Sequence, residues 1–217
     1  MKNCLKLINF SLILLLFIAC DSQVVKSQQP DKQSQKTNMS QTDTITLGAG
    51  CFWCVEAVLQ QVNGVVSVKS GYSGGSIKNP TYKEICSGLT GHAEVCQVVY
   101  QPDVISLPEL LKIFWYTHDP TQLNRQGNDI GTQYRSAIFY HNDSQKQIAE
   151  TLKAELDKSG AWDKPIVTEI SAFTIFYTAE DYHQNYYNEN SDQPYCSYVI
   201  KPKLEKFDKV FSEYKKK

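Results

Sequence analysis

The stretch Thr46–Val58, TLGAGCFWCVEAV, marks a turn from a strand into a helix and carries two cysteines in a C-x-x-C spacing. The residues up to the glycines predict a short strand, and Phe52 to about Gln61 predict a helix with an apolar side. Cys51 therefore lies where the helix begins, and the helix dipole and unpaired N–H groups there stabilise a thiolate. The residues alone leave three interpretations of Cys51 and Cys54 open: a nucleophile, a structural disulfide, or part of a metal site.

Further strands and helices follow this turn without strict alternation. The segments VVSVKSGYSGG, HAEVCQVVY and YRSAIFYHN predict strands, and IVTEISAFTIFYTAE predicts one bent strand or two short ones. Alternation puts every second residue from Glu94 to Tyr100 on one face of its strand. Helices are predicted after the capping-box pattern Ser106–Glu109, over about 143–159 before Gly160, and over about 202–214. This mixture predicts an α+β or mixed α/β fold. The core candidates of the capping-box helix are Leu110, Leu111, Phe114 and Trp115.

The composition limits the number of domains and the classes of partner. The chain has 217 residues, of which 41% are hydrophobic and 21% charged, so it can bury one sizeable core. A formal net charge of −1 gives no reason to expect nucleic acid as a partner. Beyond the first 43 residues there is an odd number of cysteines, so at least one thiol is expected to be free or transiently paired. These cysteines are Cys51, Cys54, Cys86, Cys96 and Cys196.

The first 43 residues have the pattern of an exported, lipid-anchored protein. Lys2 and Lys6 precede an apolar run that is shorter than the roughly 20 residues needed to span a bilayer, so residues 1–19 predict a signal peptide. The run ends in FIAC, which resembles the bacterial lipobox and predicts lipid modification of Cys20. An uncleaved anchor and ordinary secretion with cleavage elsewhere are the alternatives. Residues 20–43 are polar and predict a flexible tether, which leaves 44–217 as the domain.

Two further clusters of polar residues contain candidate functional side chains. Glu94 enters a strand next to Val95 and Val98, and burial there would raise its pKa and suit it to donate a proton. The alternative is an ordinary carboxylate on the solvent face of the strand. The segment NRQGNDIGTQYRS places Asp129 and Tyr134 in a glycine-containing loop, which by itself predicts no more than a hydrogen-bonding loop.

Together these segments resemble the peptide methionine sulfoxide reductase A family. The resemblance runs in order from Thr44 to about Lys206, and so many ordered motifs are far more specific than a single C-x-x-C. Cys54 departs from the pattern, since many relatives carry glycine there, and this leaves the identity of the recycling thiol open. The matching segments are GCFW followed by Glu56, GYSGG, NPTY, GHAE, DIGTQYRS, DYHQ and YC.

The resemblance implies a fold, a reaction and a set of site residues. It implies a two-layer sandwich with a mixed sheet covered by helices, and reduction of methionine S-sulfoxide, free or in proteins, with no metal or organic cofactor. Cys51 would attack the sulfoxide sulfur, and Glu94 would protonate the departing oxygen, which is a poor leaving group otherwise. The remaining roles implied are hydrogen bonds to that oxygen from Tyr82 and Tyr134, orientation of the substrate or of an ordered water by Asp129, and a pocket for the methyl group formed by Phe52 and Trp53.

The resemblance also implies how the enzyme is recycled. Cys51 is left as a sulfenic acid, a second cysteine condenses with it to a disulfide, and a thioredoxin-like partner reduces that disulfide. Cys196 follows a polar, proline-containing stretch and is favoured over Cys54 as the second cysteine, with a relay through both as a further option. Cys86 and Cys96 are expected to be small buried residues. The expected protein is a monomer in the bacterial cell envelope, anchored on the extracytoplasmic side of a membrane.

Two other functions use the same residues. A disulfide oxidoreductase of the thioredoxin type would use C-x-x-C but would not need Glu94, Tyr82 and Tyr134 together. A structural zinc lipoprotein would draw its ligands from the cysteines and His92, although a closed zinc site prefers two well-spaced ligand pairs.

Overall fold

The computed structural model describes residues 41–217. The predicted signal peptide, the lipidation site Cys20 and nearly all of the predicted tether lie outside the described residues. The strands are β1 (Asp43–Ala49), β2 (Val65–Ser73), β3 (Ala93–Tyr100), β4 (Arg125–Gln126), β5 (Asp129–Ile130), β6 (Ser136–Tyr140), β7 (Glu169–Ala172) and β8 (Phe176–Thr178). The α-helices are α1 (Phe52–Gln60), α2 (Tyr82–Cys86), α3 (Leu107–Tyr116), α4 (Asp143–Ser159), α5 (Tyr186–Glu189) and α6 (Lys201–Val210).

Six strands form one sheet in the order β7-β6-β1-β3-β2-β8, and β4 and β5 form a separate hairpin. The pairing is antiparallel throughout the large sheet, except that β6 and β7 are parallel. A mixed sheet packed against helices confirms the predicted mixed α/β class.

The large sheet is strongly curled, and the connection between its two edge strands shows this. β7 and β8 lie at opposite edges, so five interstrand steps of about 4.8 Å would separate them by about 24 Å in a flat sheet. The chain from Ala172 to Phe176 can span at most about 14 Å. Phe173 and Phe176 pack on a small apolar cluster from β3 and β6. The segment predicted as one bent strand or two short ones is therefore two strands, at opposite edges.

The main core lies on the other face of β3, against α1 and α3. Cys96, Val98 and Tyr100 are all buried in it, as the alternation in β3 predicts. The core candidates of α3 are buried as well. Its predicted capping box forms, since the Ser106 side chain accepts the N–H of Glu109 and Glu109 accepts the N–H of Ser106 at 2.9 Å.

Some elements differ from the sequence prediction. The closing helix, predicted over about 202–214, is α6 followed by a separate 3₁₀ turn, Ser212–Tyr214, and a π-helical turn, Cys196–Ile200, precedes it. The short helix α2 is absent from the prediction because five residues are too few to show a helical period. Its capping box, Thr81 with Glu84, is the signal that locates it. Within residues 41–217, no helix has the length and apolar character to cross a membrane.

Candidate active site

Cys51 is the N-cap residue of α1, directly after β1. The preceding Gly50 has φ +87°, and a Cβ atom there would come within 2.6 Å of the Gln126 side chain. Both the backbone conformation and the space therefore require glycine. This turn buries the Cys51 side chain at the junction of strand and helix, where the sequence predicts it.

Glu94 lies beside this turn, on β3. Its side chain is 1% exposed, and its Oε2 accepts the N–H of Phe52 at 3.1 Å. Burial raises the pKa of Glu94 to about 8, and the negative charges of Asp129 and Cys54 add to the effect against the opposing Phe52 N–H. The carboxyl is therefore largely protonated at neutral pH, next to the cysteine at the start of the helix.

The two thiols of the C-x-x-C turn interact with each other. Burial raises the pKa of Cys51 well above its ordinary value, whereas a hydrogen bond from Cys51 lowers the pKa of Cys54 to about 7, with help from the Lys203 ammonium. The sequence predicts a Cys51 thiolate stabilised by the helix N-terminus. In the structure the Phe52 N–H is taken by Glu94 and the Cys51 sulfur is buried, so Cys54 rather than Cys51 is the thiol with the lower pKa.

Tyr82 and Tyr134 both lie within electrostatic range of Glu94. Burial, followed by the charge of Glu94, raises the pKa of each tyrosine, so both remain hydroxyl donors. Glu180 positions the start of α2, because its Oε1 accepts the N–H of Tyr82 at 2.9 Å while its Oε2 accepts the hydroxyl of Tyr72 at 2.8 Å. Tyr134 ends the 3₁₀ turn Thr132–Tyr134 that follows β5.

Phe52 and Trp53 are the apolar side chains nearest to Cys51 in the sequence, and a distant segment holds them. The Trp53 ring stacks on Tyr186 with centroids 3.6 Å apart and meets Tyr195 edge-on at 5.8 Å. His183 packs on Phe52, at 5.0 Å between centroids, and its Nδ1 accepts the Trp53 indole N–H at 3.2 Å. These contacts define a cluster of aromatic side chains around Phe52 and Trp53, at the start of α1.

The protonation of His183 follows from its contacts. Burial lowers its pKa, and an Nδ1 that accepts the indole hydrogen bond places the ring proton on Nε2. That Nε2 is buried and has no hydrogen-bond partner among the described residues. No local pattern in the sequence assigns a role to His183, Tyr186 or Tyr195, although the DYHQ and YC segments contain His183 and Tyr195.

Asp129 lies at the start of β5 and is linked to the cysteines by Tyr195. The Tyr195 hydroxyl donates to Asp129 Oδ2 at 2.8 Å and lies 3.8 Å from Cys54 Sγ. A tyrosine has one hydroxyl proton, so Tyr195 can donate to the carboxylate or to the sulfur, but not to both.

The three cysteines outside the C-x-x-C turn, Cys86, Cys96 and Cys196, differ in their burial. All five cysteines of residues 41–217 are unpaired. Cys196 is buried in the π-helical turn directly after Tyr195, and Cys96 is buried against the carbonyl of Phe52 at 3.5 Å. Cys86 is exposed, so the prediction of a buried Cys86 is wrong, because it lies at the end of the surface helix α2.

Within the part of the chain that the structure describes, no group of three or more His, Cys, Asp or Glu side chains could hold a metal ion. The zinc interpretation therefore has no site in residues 41–217. The arrangement is that of a buried cysteine pair, a protonated carboxyl, two tyrosine hydroxyls and an aromatic cluster.

Comparisons with known proteins agree with one another. The family profile described as peptide methionine sulfoxide reductase matches residues 43–215. The proteins named peptide methionine sulfoxide reductase MsrA from Saccharolobus solfataricus and Trichodesmium erythraeum are 53% and 54% identical to this chain over 171 residues. Each match covers 79% of this chain, and 96% and 97% of the respective relative.

Two solved structures are similar to the fold. Reduced Mxr1 from Saccharomyces cerevisiae has a TM-score of 0.67 and 37% identity, over 76% of this chain and 94% of that chain. Methionine sulfoxide reductase A of Corynebacterium diphtheriae has a TM-score of 0.62 and 41% identity, over 69% of this chain and 75% of that chain.

Proposed function

The chain belongs to the peptide methionine sulfoxide reductase A family, and from this premise we propose that Cys51 and Glu94 together reduce methionine S-sulfoxide, free or within proteins, to methionine. The observation that carries the proposal is the buried Glu94 carboxyl, which accepts the N–H of Phe52 and has a pKa raised to about 8. A carboxyl that keeps its proton at neutral pH, next to a cysteine nucleophile, is what a sulfoxide oxygen needs in order to leave.

The first step transfers the oxygen to the enzyme. Cys51 attacks the sulfoxide sulfur as a thiolate, and its proton passes to Cys54, the neighbour with the lower pKa. Glu94 gives its proton to the sulfoxide oxygen. The sulfur atoms of Cys51 and methionine are then bonded, and the protonated oxygen leaves the methionine sulfur as hydroxide. This hydroxide attacks the Cys51 sulfur, the sulfur–sulfur bond breaks, methionine leaves, and Cys51 becomes a sulfenic acid. The sulfoxide gains two electrons and Cys51 loses two.

Tyr82 and Tyr134 stabilise this step by hydrogen bonds to the sulfoxide oxygen. Support comes from burial, which together with the nearby Glu94 raises the pKa of both tyrosines and keeps their protons in place. Hydrogen bonds to an oxygen that gains charge in the transition state lower the barrier more than they favour substrate binding.

Phe52 and Trp53 hold the methyl group of the substrate. Support comes from the contacts of Trp53 with Tyr186, Tyr195 and His183, which immobilise the indole ring in one orientation. An apolar pocket of fixed shape next to a chiral sulfur accepts one epimer of the sulfoxide better than the other. Asp129, held by the Tyr195 hydroxyl, orients the rest of the substrate.

Cys54 is the thiol that we propose to close the first disulfide, with Cys196 as the second acceptor in a relay. The C-x-x-C spacing supports Cys54, because the two buried thiols are close enough to shift each other's pKa and condensation requires the two sulfur atoms to meet. Cys54–SH and Cys51–SOH give the disulfide and water. Cys196, which the sequence favours, is buried in a helical turn next to Tyr195, so it reaches the pair after that turn rearranges.

A thioredoxin-like dithiol returns the enzyme to its starting state. Thiol–disulfide exchange moves two electrons from the partner to the enzyme disulfide, and no metal or organic cofactor takes part in that step. The protein acts as a monomer in this scheme.

We also propose a location. A lipid on Cys20 would hold the protein on the extracytoplasmic side of a membrane in the bacterial cell envelope, with residues 20–43 as the tether. Support comes from the charged and apolar pattern of residues 1–19 and from the FIAC motif. Cys20→Ala protein should move from the membrane fraction to the soluble fraction; a variant that still pellets like the wild type contradicts the anchor.

The test of the reaction uses residues 44–217 and dithiothreitol as the electron donor. The S epimer of N-acetyl-methionine sulfoxide should be reduced to N-acetyl-methionine, and the R epimer should remain. Equal reduction of both epimers, or of neither, contradicts the proposed function. A general disulfide oxidoreductase would instead exchange protein disulfides and leave both sulfoxides unchanged.

A further inference from the structure

Three large apolar side chains are exposed beside the candidate active site. Ile130 is 68% exposed, Tyr182 is 61% exposed and Tyr198 is 81% exposed. We refer to Ile130, Tyr182 and Tyr198 as the apolar collar. Single exposed apolar residues are ordinary, whereas several around one pocket indicate a surface that binds another molecule.

Each member of the collar adjoins a residue of the site. Ile130 follows Asp129 in the hairpin strand β5. Tyr182 precedes His183, and their rings are 4.2 Å apart between centroids. The third member, Tyr198, lines a groove of about 360 Å³ together with Asp129 and the Tyr195 ring.

The Tyr195 side chain joins this groove to the C-x-x-C turn. One wall is the turn 126–129 between β4 and β5, and the other is formed by Tyr195, Tyr198 and the start of α6. Tyr195 also borders the cysteines, since its hydroxyl is 3.8 Å from Cys54 Sγ. A molecule bound in the groove therefore lies next to the site and remains exposed to solvent on its outer side.

We propose that the apolar collar binds the side chains on either side of the oxidised methionine in a polypeptide substrate. The inference rests on the proposed function, because the sulfoxide group must reach the buried Cys51 while its own backbone stays at the pocket mouth. An extended chain advances about 3.4 Å per residue, so the first one or two neighbours of the methionine meet the rim of the pocket. Apolar neighbours bury surface against the collar and bind more tightly than polar ones.

The experiment compares three substrates: S-sulfoxide peptides Leu-Met(O)-Phe and Ser-Met(O)-Asn, both capped at their ends, and N-acetyl-methionine sulfoxide. The rate of methionine formation is measured in a single turnover at low substrate concentration, without any reductant. The thioredoxin-like partner therefore has no influence on the result. The variants are Tyr198→Ser and Ile130→Ser.

Val66→Ser is the matched control. Val66 is 55% exposed and lies on β2. It is six positions, or about 20 Å along the strand, from Tyr72, which pairs with Glu94. The Val66→Ser substitution removes exposed apolar surface, as the two test substitutions do, but away from the groove. The rates of this variant with all three substrates should equal those of the wild type.

The wild type should prefer the apolar peptide over the polar one by about fivefold, which corresponds to burial of roughly 40 Å² of apolar surface. Tyr198→Ser and Ile130→Ser should each remove most of that preference, with little change in the rate for N-acetyl-methionine sulfoxide.

Equal losses with all three substrates would show that these residues act on the site itself. Unchanged single-turnover rates in both variants, together with losses in a separate steady-state assay with a thioredoxin-like protein, would assign the surface to the reductant. Either result overturns the inference. A wild type that reduces none of the three contradicts the proposed function as well.

Discussion

The turn from β1 into α1 and the segment from Asp181 to Lys203 form the two sides of the candidate site, and they differ in how they are built. The turn supplies Cys51, the aromatic pair after it and Cys54 from four consecutive positions. The second segment supplies His183, Tyr186, Tyr195 and Cys196, and its hydrogen bond from Trp53 to His183 joins residues 130 positions apart.

The two regions differ in the function that we propose for each: one carries out the reaction, and the other positions the side chains around it. In the proposed mechanism the turn and Glu94 from β3 supply the atoms that exchange oxygen and protons. The Asp181–Lys203 segment packs on Trp53 and contains Cys196, the second thiol of the proposed relay. Substitutions in the turn and at Glu94 should therefore reduce the first turnover, whereas substitutions in the segment should affect binding, recycling and pH dependence.

Cys51→Ser should have the largest effect, a complete loss of sulfoxide reduction. A serine hydroxyl is not ionised near neutral pH and cannot take up the oxygen as a sulfenic acid. Formation of methionine in a single turnover measures this, with Cys86→Ser as the control that should keep most activity. Turnover by Cys51→Ser above the uncatalysed background would remove the central residue of the proposed mechanism.

Glu94→Gln should slow the single-turnover rate by about 10²–10⁴-fold with little change in sulfoxide binding. The amide has the shape of the carboxyl and can still accept the Phe52 N–H, but it donates protons poorly. The rate at saturating sulfoxide and the substrate concentration at half-maximal rate separate the two effects. A rate within about threefold of the wild type would mean that another group supplies the proton.

Cys54→Ser should slow the first turnover, because Cys54 takes up the proton of Cys51, and it should lose nearly all of the steady-state rate with a thioredoxin-like donor. Wild type given one equivalent of sulfoxide without reductant should form the Cys51–Cys54 disulfide first, as mapped by peptide mass spectrometry. Cys196→Ser should form the same bond and recycle more slowly. Formation of a Cys51–Cys196 bond as the first product, with normal turnover by Cys54→Ser, would show that Cys196 closes the first disulfide with Cys51.

The smallest effect is expected in the pH dependence. The Cys51–Cys54 pair gains its thiolate near pH 7, and Glu94 loses its proton near pH 8, so the single-turnover rate should rise through the first value and fall above the second. Lys203→Met removes a positive charge that lowers the pKa of Cys54, so the rising limb should move to higher pH and the rate at pH 6.5 should fall by about two- to fivefold.

Lys203→Arg is the matched variant for this measurement, since it keeps the charge and should keep the profile. Glu94→Gln should lose the falling limb. If Lys203→Met has the same rising limb as the wild type, the ammonium does not influence the thiol pair.

Local patterns in the sequence were sufficient for several parts of the fold. The strand–glycine–helix order places Cys51 at a helix start, the alternation in β3 places Glu94, Cys96 and Val98 on one face, and a capping box starts α3. These features depend on backbone geometry and side-chain period within about ten residues, which is the range over which a sequence pattern carries information.

The tertiary structure decided what depends on distant segments. β7 and β8 follow each other closely in the chain and lie at opposite edges of the sheet, because the sheet curls. The aromatic contacts of Trp53 come from residues beyond position 180, and no local period predicts them. The balance between Cys51 and Cys54 likewise follows from burial, from Glu94 and from Lys203, which three separate segments bring together. The sequence by itself therefore determined which side chains can react, and packing determined their protonation and the shape of the pocket, because both depend on every group that surrounds the site.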